Sequence, residues 1–159
     1  MGVSGCGKTT IGRRLAQLLQ FPFYDADDYH NDKNIKKMKK GLPLNDADRS
    51  SWLSFLSSSL EEWSLHGNAI LACSALKKKY RKKLSHNNKV TFIFLDGKYD
   101  LIYQRLVDRN DHFFAESMLQ SQFSSLEVPE NCIRISVDQS ISNICLSIVD
   151  SIKKVTVNL

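Results

Sequence analysis

The sequence predicts an α/β fold with a parallel sheet. Apolar runs and amphipathic stretches of helical period alternate regularly along its 159 residues. Near-continuous apolar runs are typical of strands that are covered on both faces. Alternation of strands and helices predicts parallel strands joined by right-handed crossovers. The length suits one domain, and without a repeat or a linker we expect residues 1–159 to form it.

The elements are predicted from the apolar spacing and from capping residues. A long helix after residue 44 takes its N-cap from Asn45 or Asp46. The stretch 109–131 is long for a connection, so we expect a lid over about residues 109–128. Strands are predicted at 21–26, 69–75, 90–96 and 133–138, and further helices at 8–19, 31–40, 77–84, 100–109 and from 141 onward.

The composition excludes several classes of protein. Hydrophobic residues make up 42% of the chain, charged residues 25%, and no apolar run approaches the ~20 residues of a membrane span. Without a signal-peptide pattern, we expect a cytoplasmic protein with no membrane partner. The four cysteines form no C-x-x-C pair, so we expect reduced thiols rather than a zinc site or a disulfide scaffold.

The net charge of +5 comes largely from lysine-rich runs at 36–40 and 77–83. Each run is either a solvated helix face or a site for an anionic ligand. Because the runs lack the repeated aromatic residues of a base-stacking platform, small phosphorylated molecules are favoured and no nucleic-acid partner is expected.

The stretch GVSGCGKT fits the pattern G-x-x-x-x-G-K-[ST] in full. Backbone N–H groups of such a loop, with the positive end of the next helix, cradle a phosphate. The pattern places Lys8 on the outer phosphates and Thr9 on magnesium. With the parallel sheet, it predicts the three-layer sandwich of a P-loop NTPase. The expected nucleotide-binding residues of the loop are Gly2, Val3, Ser4, Gly5, Cys6, Gly7, Lys8, Thr9 and Thr10.

Two carboxylates follow the first predicted strand. Asp25 and Asp27 are two positions apart at the carboxyl end of the predicted strand, where ligands bind in open α/β sheets, and we expect them to point to opposite sides. One could face magnesium while the other accepts a proton from a substrate hydroxyl, as in kinases; the alternative is a plain acidic turn. Asp96 is a second metal-side candidate, although a turn with Gly97 also explains it.

With these motifs, the chain resembles the gluconokinase family of small kinases, which are nucleoside-monophosphate-kinase-like P-loop proteins with a helical lid. The matching stretches cover nearly the whole chain: FYDADDYH, NIKKMKKGLPLNDADRSSWL, ACSALKKKYR and DHFFAESMLQSQFSSLEVPE. The resemblance implies transfer of the γ-phosphoryl group of ATP, with Mg²⁺, to the 6-hydroxyl of D-gluconate. It is also compatible with a homodimer.

The resemblance implies roles for the matching residues. Asp27 would orient or deprotonate the hydroxyl, while Asp25 and Thr9 would hold Mg²⁺, partly through water. Arg109 would stabilise the transferring group together with Lys8. Arg105 and Arg109 would lie over the adenine and phosphates. The implied substrate-binding residues are Asp27, His30, Arg49, Lys77, Arg81 and His112. Solvated helix charges are an alternative for Lys77 and Arg81, and an exposed loop residue is one for His112.

Two features depart from the family. Its lids usually read Gly-His-Phe, whereas Asp111 precedes His112 here. The phosphate loop normally follows a hydrophobic central strand, whereas only Met1 precedes Gly2. We therefore expect an N-terminally shortened chain whose first strand is missing, which loses buried side chains worth roughly 1.5–3 kcal/mol each. Restoring about six apolar residues should raise the melting temperature and the activity.

Cys6 carries a separate expectation. A thiol near a helix N-terminus and Lys8 should have a lowered pKa and react readily, so alkylation would block ATP binding. The alternative is a cysteine that is tolerated in place of serine.

Two further functions stay open. One is another small P-loop metabolite kinase, acting on shikimate or a nucleotide. The other is a catalytically impaired nucleotide-binding protein without the first strand.

Overall fold

The computed structural model describes residues 1–87, 89–108 and 116–157. Strands and helices alternate as the sequence predicts. The strands are β1 (Phe23–Asp25), β2 (Ile70–Ala72), β3 (Ile93–Asp96) and β4 (Ile133–Ser136). The helices are α1 (Lys8–Leu19), α2 (Asp32–Lys39), α3 (Asp46–Ser64), α4 (Lys78–Leu84), α5 (Tyr99–Asp108), α6 (Glu116–Ser125) and α7 (Ile141–Val157).

The strands form two parallel pairs. β1 pairs with β2, with Tyr24 opposite Leu71, and β3 pairs with β4, with Leu95 opposite Ile135. The parallel arrangement predicted from the alternation is therefore confirmed. The first pair is shorter than the apolar runs suggest, because β1 ends at Asp25, where a 3₁₀ turn over Ala26–Tyr29 begins.

The first two residues of the chain lie between the two pairs. The N–H of Leu95 in β3 donates to the carbonyl of Met1 over 2.9 Å, and the N–H of Gly2 donates to the carbonyl of Ser74, just after β2, over 3.2 Å. Among the described residues no strand precedes α1. The phosphate loop thus starts between β2 and β3, at their carboxyl ends.

The core has two parts. One cluster joins buried side chains of α1, α5, α6 and α7, including Ile11, Ile102 and Ile148, to β3 and β4. The other joins Trp52 and Leu56 of α3 to Tyr80 and Leu84 of α4. Helices therefore pack against the strands in two groups, as a three-layer arrangement requires.

Local sequence accounts for where the helices begin. Asn45 caps α3 in a capping box: its side chain accepts from the N–H of Asp48, whose carboxylate accepts from the N–H of Asn45. This decides between the two predicted caps, Asn45 and Asp46, in favour of Asn45.

The predicted lid segment, residues 109–128, contains α6. In the described part of the chain, no helix has both the length and the apolar character for crossing a bilayer.

Candidate active site

The phosphate loop leads directly into α1. Gly7 is the N-cap of α1 and has a left-handed φ of 94°. Gly5 also has a positive φ, 81°, and a Cβ atom there would lie 2.9 Å from Leu106. Both positions therefore need glycine. The Lys8 ammonium group lies over the loop and donates to the carbonyl of Val3 over 3.0 Å. The loop thus brings a cation and the N-terminus of a helix to one place, which suits a phosphate.

The two residues predicted for magnesium are in contact. The Thr9 hydroxyl donates to Oδ2 of Asp25 over 2.6 Å. Thr9 lies in the first turn of α1, and Asp25 is the last residue of β1. A hydroxyl and a carboxylate beside the phosphate loop are hard oxygen ligands, and Mg²⁺ is bound by one or two carboxylates together with substrate phosphates and water. In the part of the chain that the structure describes, no cluster of three or more His, Cys, Asp or Glu forms a metal cage.

Asp27 does not continue the strand. It lies in the 3₁₀ turn, its backbone N–H donates to Oδ1 of Asp25 over 3.2 Å, and its side chain is exposed. The expectation that the two carboxylates point to opposite sides of a strand is therefore wrong. Side chains two positions apart on a strand share a face, and here the chain leaves the strand because the Asp25 side chain accepts a capping hydrogen bond from the Asp27 N–H. Asp27 still lies only two residues after Asp25, the metal-side acid.

His30 follows the same turn. Its ring stacks on Trp52 at a centroid distance of 4.4 Å, and its Nδ1 is buried with no hydrogen-bond partner among the described residues. Burial lowers the pKa of His30; the nearby Arg49 charge lowers it further, and Asp27 opposes both. The imidazole is therefore neutral at pH 7, and its buried Nδ1 is left without a hydrogen bond among the described residues.

A cleft lies between α3, the start of α4 and α6. Arg49 and Lys77 both line it, together with Ser74, Tyr80 and Gln122. The Arg49 guanidinium donates to the carbonyl of Leu44, and Lys77 donates to Asp46 over 2.9 Å. The charged ends of both side chains lie 5.7 Å from the centre of the Tyr80 ring. The cleft thus has a cationic wall, which suits an acidic substrate.

Known proteins resemble the chain throughout. The family model for shikimate kinase matches residues 4–155. A probable gluconokinase of Mus musculus is 43% identical over 96% of this chain and 95% of its own length. The thermosensitive gluconokinase of Escherichia coli K12 is 42% identical over 91% of this chain and 80% of its own. The chain belongs to the gluconokinase family.

A solved structure agrees with this gluconokinase assignment. The crystal structure of a gluconokinase from Sinorhizobium meliloti 1021 superposes with a TM-score of 0.90 at 33% identity, covering 99% of this chain and 91% of that one. The P-loop kinase fold predicted from the sequence is therefore confirmed.

Arg81 is buried, and its predicted role in substrate binding stays a prediction. Its side chain is 7% exposed, and Nη1 donates to the carbonyls of Ala75 and Leu76 over 3.0 and 2.8 Å. It is thus no solvated helix charge, and its hydrogen bonds go to backbone rather than toward the cleft. Ala75 has a left-handed φ of 43°, so Arg81 stabilises a loop that a non-glycine residue rarely forms.

The structure describes some of the remaining predicted residues and not others. Cys6 is buried, 1% exposed, so the expectation of a readily reacting thiol is wrong for the folded chain. Arg105 donates to the carbonyl of Val137 over 2.8 Å, beside the end of β4. Arg109 and His112 lie outside the described residues, and their roles stay predictions. Asp96, the second metal-side candidate, forms an ion pair with Arg134 over 2.8 Å.

Sequence reasoning missed one contact to the phosphate loop. The Gln122 side chain from α6 accepts from the N–H of Ser4 over 2.7 Å and donates to its hydroxyl over 3.0 Å. The stretch around Gln122 belongs to the family resemblance, but no local pattern marks this residue. A separation of 118 positions leaves no periodic signal in a single sequence.

Proposed function

We propose that this gluconokinase-family chain transfers the γ-phosphoryl group of ATP to the 6-hydroxyl of D-gluconate, giving 6-phosphogluconate and ADP. The observation that carries the proposal is the contact between Thr9 and Asp25, 2.6 Å, beside the phosphate loop. It supplies a metal-side pair next to Asp27 and the cationic cleft. Relatives named gluconokinases, at 42–43% identity, support gluconate as the acceptor.

The phosphate half of the site orients ATP. Backbone N–H groups of the loop and the N-terminus of α1 hold the phosphates, and Lys8, whose ammonium group has three donors, reaches the outer phosphates while it keeps its bond to Val3. Thr9 and Asp25 would hold Mg²⁺, with Asp25 acting partly through water. When bound, the ion would neutralise the negative charge of the phosphate groups. Arg105 and Arg109 complete the phosphate half of the site. Arg109 lies outside the described residues.

The acceptor half holds the sugar acid. Arg49 and Lys77 offer their positive charge to its carboxylate, while the neutral His30 offers Nδ1 to a hydroxyl. Asp27 accepts the proton of the 6-hydroxyl as the hydroxyl oxygen forms its bond to the γ-phosphorus. The bond from that phosphorus to the β–γ bridging oxygen breaks, and ADP leaves with the electron pair.

A coupled assay of ADP release tests the proposal. The full chain is given MgATP with D-gluconate, with related sugar acids, or with shikimate as the acceptor. We expect release that depends on gluconate and product phosphorylated at the 6-position, identified by NMR. Release with shikimate and none with gluconate would overturn the proposal.

A further inference from the structure

We propose that Gln122 is a positioning residue that holds Lys8 in place through a single peptide unit of the phosphate loop. The proposal deepens the proposed function, on which it rests, because Gln122 also lines the cleft assigned to the acceptor. No motif of the phosphate loop contains this residue. It reaches the loop from α6.

The amide of Gln122 is fixed at both of its ends. Oε1 accepts from the backbone N–H of Ser4 over 2.7 Å, and Nε2 donates to the Ser4 hydroxyl over 3.0 Å. Two hydrogen bonds to one residue leave the amide a single orientation. They also fix the peptide plane to which the Ser4 N–H belongs, since a peptide unit is rigid and planar.

That same peptide unit carries the carbonyl of Val3, on which Lys8 lies. Lys8 Nζ donates to this carbonyl over 3.0 Å. Gln122 and Lys8 are therefore bound to opposite edges of one plane, and a rotation of this plane would move the docking point of the ammonium group. Because Lys8 must reach the outer phosphates, its resting position affects the alignment of the transferring group.

α6 itself is firmly held. Leu119 is fully buried, and Phe123 packs on Tyr99 of α5 with ring centroids 5.3 Å apart. Just after α6, the Glu127 N–H donates to the carbonyl of Leu76 over 3.0 Å, and its carboxylate accepts from the N–H of Lys78. The helix is thus attached to the loop that flanks the acceptor cleft. Gln122 therefore connects the cleft, which it lines, to the peptide unit on which Lys8 lies.

The test compares Gln122→Met with Gln120→Met. The first variant removes both hydrogen bonds to Ser4 while keeping a similar volume. The second makes the same change on an exposed position of α6 that contacts Tyr99 instead. We expect Gln122→Met to lower kcat on the order of tenfold to a hundredfold, with the KM for MgATP changed less than about threefold. Gln120→Met should keep the wild-type kcat.

Ser4→Ala provides a second arm that leaves α6 intact. It removes the hydroxyl that Gln122 donates to, and we expect a severalfold lower kcat. In the Gln122→Met background, Ser4→Ala should lower kcat hardly any further, since the interaction that the two residues share is already absent. Independent, additive effects of the two changes would overturn the proposal. So would a wild-type kcat in Ser4→Ala, even where Gln122→Met does not fold.

Failure of the proposed function looks different. In that case the wild-type chain releases no ADP with gluconate. The same variants are then compared on whichever acceptor of the panel the wild type phosphorylates, or on the slow hydrolysis of MgATP in water where it phosphorylates none. Equal rates for the wild type and Gln122→Met in that comparison would overturn the Gln122 proposal separately.

Discussion

The Thr9 hydroxyl donates a hydrogen bond of 2.6 Å to Oδ2 of Asp25, which joins the first turn of α1 to the end of β1. The contact has a chemical consequence. It puts two oxygen ligands of the kind that Mg²⁺ prefers next to a loop built for phosphate. The same carboxylate uses Oδ1 to cap the turn that carries Asp27. One residue therefore links the metal side of the site to the acceptor side.

Asp25→Asn should weaken magnesium binding. The amide keeps the size of the side chain but loses its charge, so the Mg²⁺ concentration for half-maximal activity should rise about 10- to 100-fold. Thr9→Ser keeps the hydroxyl and serves as the control, with a nearly unchanged Mg²⁺ dependence. Titrating Mg²⁺ in the ADP-release assay measures both. An Asp25→Asn chain with the wild-type Mg²⁺ curve would remove Asp25 from the metal site.

Asp27→Asn should slow the chemical step. Loss of a general base costs about 10²- to 10⁴-fold in kcat, while the KM for MgATP should change little because Asp27 lies in the 3₁₀ turn after β1 and not in the phosphate loop. Asp28→Asn is a matched control, since Asp28 is the next residue in the same 3₁₀ turn and is also exposed. Steady-state kinetics of the two variants decide the matter. Equal losses in both would speak against a specific role for Asp27.

His30 should make folding stability depend on pH. Burial lowers its pKa from the ordinary 6.5, so the unfolded chain binds a proton at a higher pH than the folded chain does. The stability that neutral His30 contributes is therefore complete above pH 6.5 and is lost as the pH falls below it. His30→Phe can keep the stacking on Trp52 without titrating. Urea unfolding at pH 7.5 and 5.5 should show a larger loss for the wild type than for this variant, and parallel losses would contradict the assignment.

Arg81→Met should destabilise the fold. The buried carbonyls of Ala75 and Leu76 would lose their donor, which costs about 1–3 kcal/mol. Lys82→Met, the neighbouring exposed position, should stay within about 0.5 kcal/mol of the wild type. The free energy of unfolding in urea measures both. If Arg81→Met matched Lys82→Met in stability and raised the KM for gluconate, substrate binding would be the better interpretation of Arg81.

Cys6 should resist alkylation in the native chain. The thiol is 1% exposed, so reagent reaches it only when the structure opens, whereas Cys132 is half-buried. Peptide mass spectrometry after brief treatment with a maleimide should find Cys132 modified before Cys6. MgATP should slow the labelling of Cys6 only as far as it stabilises the fold. Rapid labelling of Cys6 under native conditions would restore the reactive-thiol interpretation.

Helix positions were predictable because their signals are local. The apolar spacing after the phosphate loop predicted a helix at 8–19, and α1 spans Lys8–Leu19. Likewise, the capping residue before α3 was narrowed to two neighbours, and the structure selects Asn45. Strand ends were predicted less well. β1 stops at Asp25 because the side chain of Asp25 accepts a hydrogen bond that competes with strand formation. The pattern of apolar residues in the sequence does not reveal such a hydrogen bond.

The sequence by itself determined the phosphate loop, the order of the elements and the resemblance to the gluconokinase family. These depend on residue types at fixed short spacing or on long stretches of matching sequence. Only the tertiary structure decided which side chains meet. It brought Thr9 to Asp25, turned Arg81 inward to the backbone of the loop after β2, buried Cys6 and placed Gln122 on Ser4. Contacts of this kind depend on how elements that are distant in the sequence pack together. Such packing produces no regular spacing of residues that could be recognised in a single sequence.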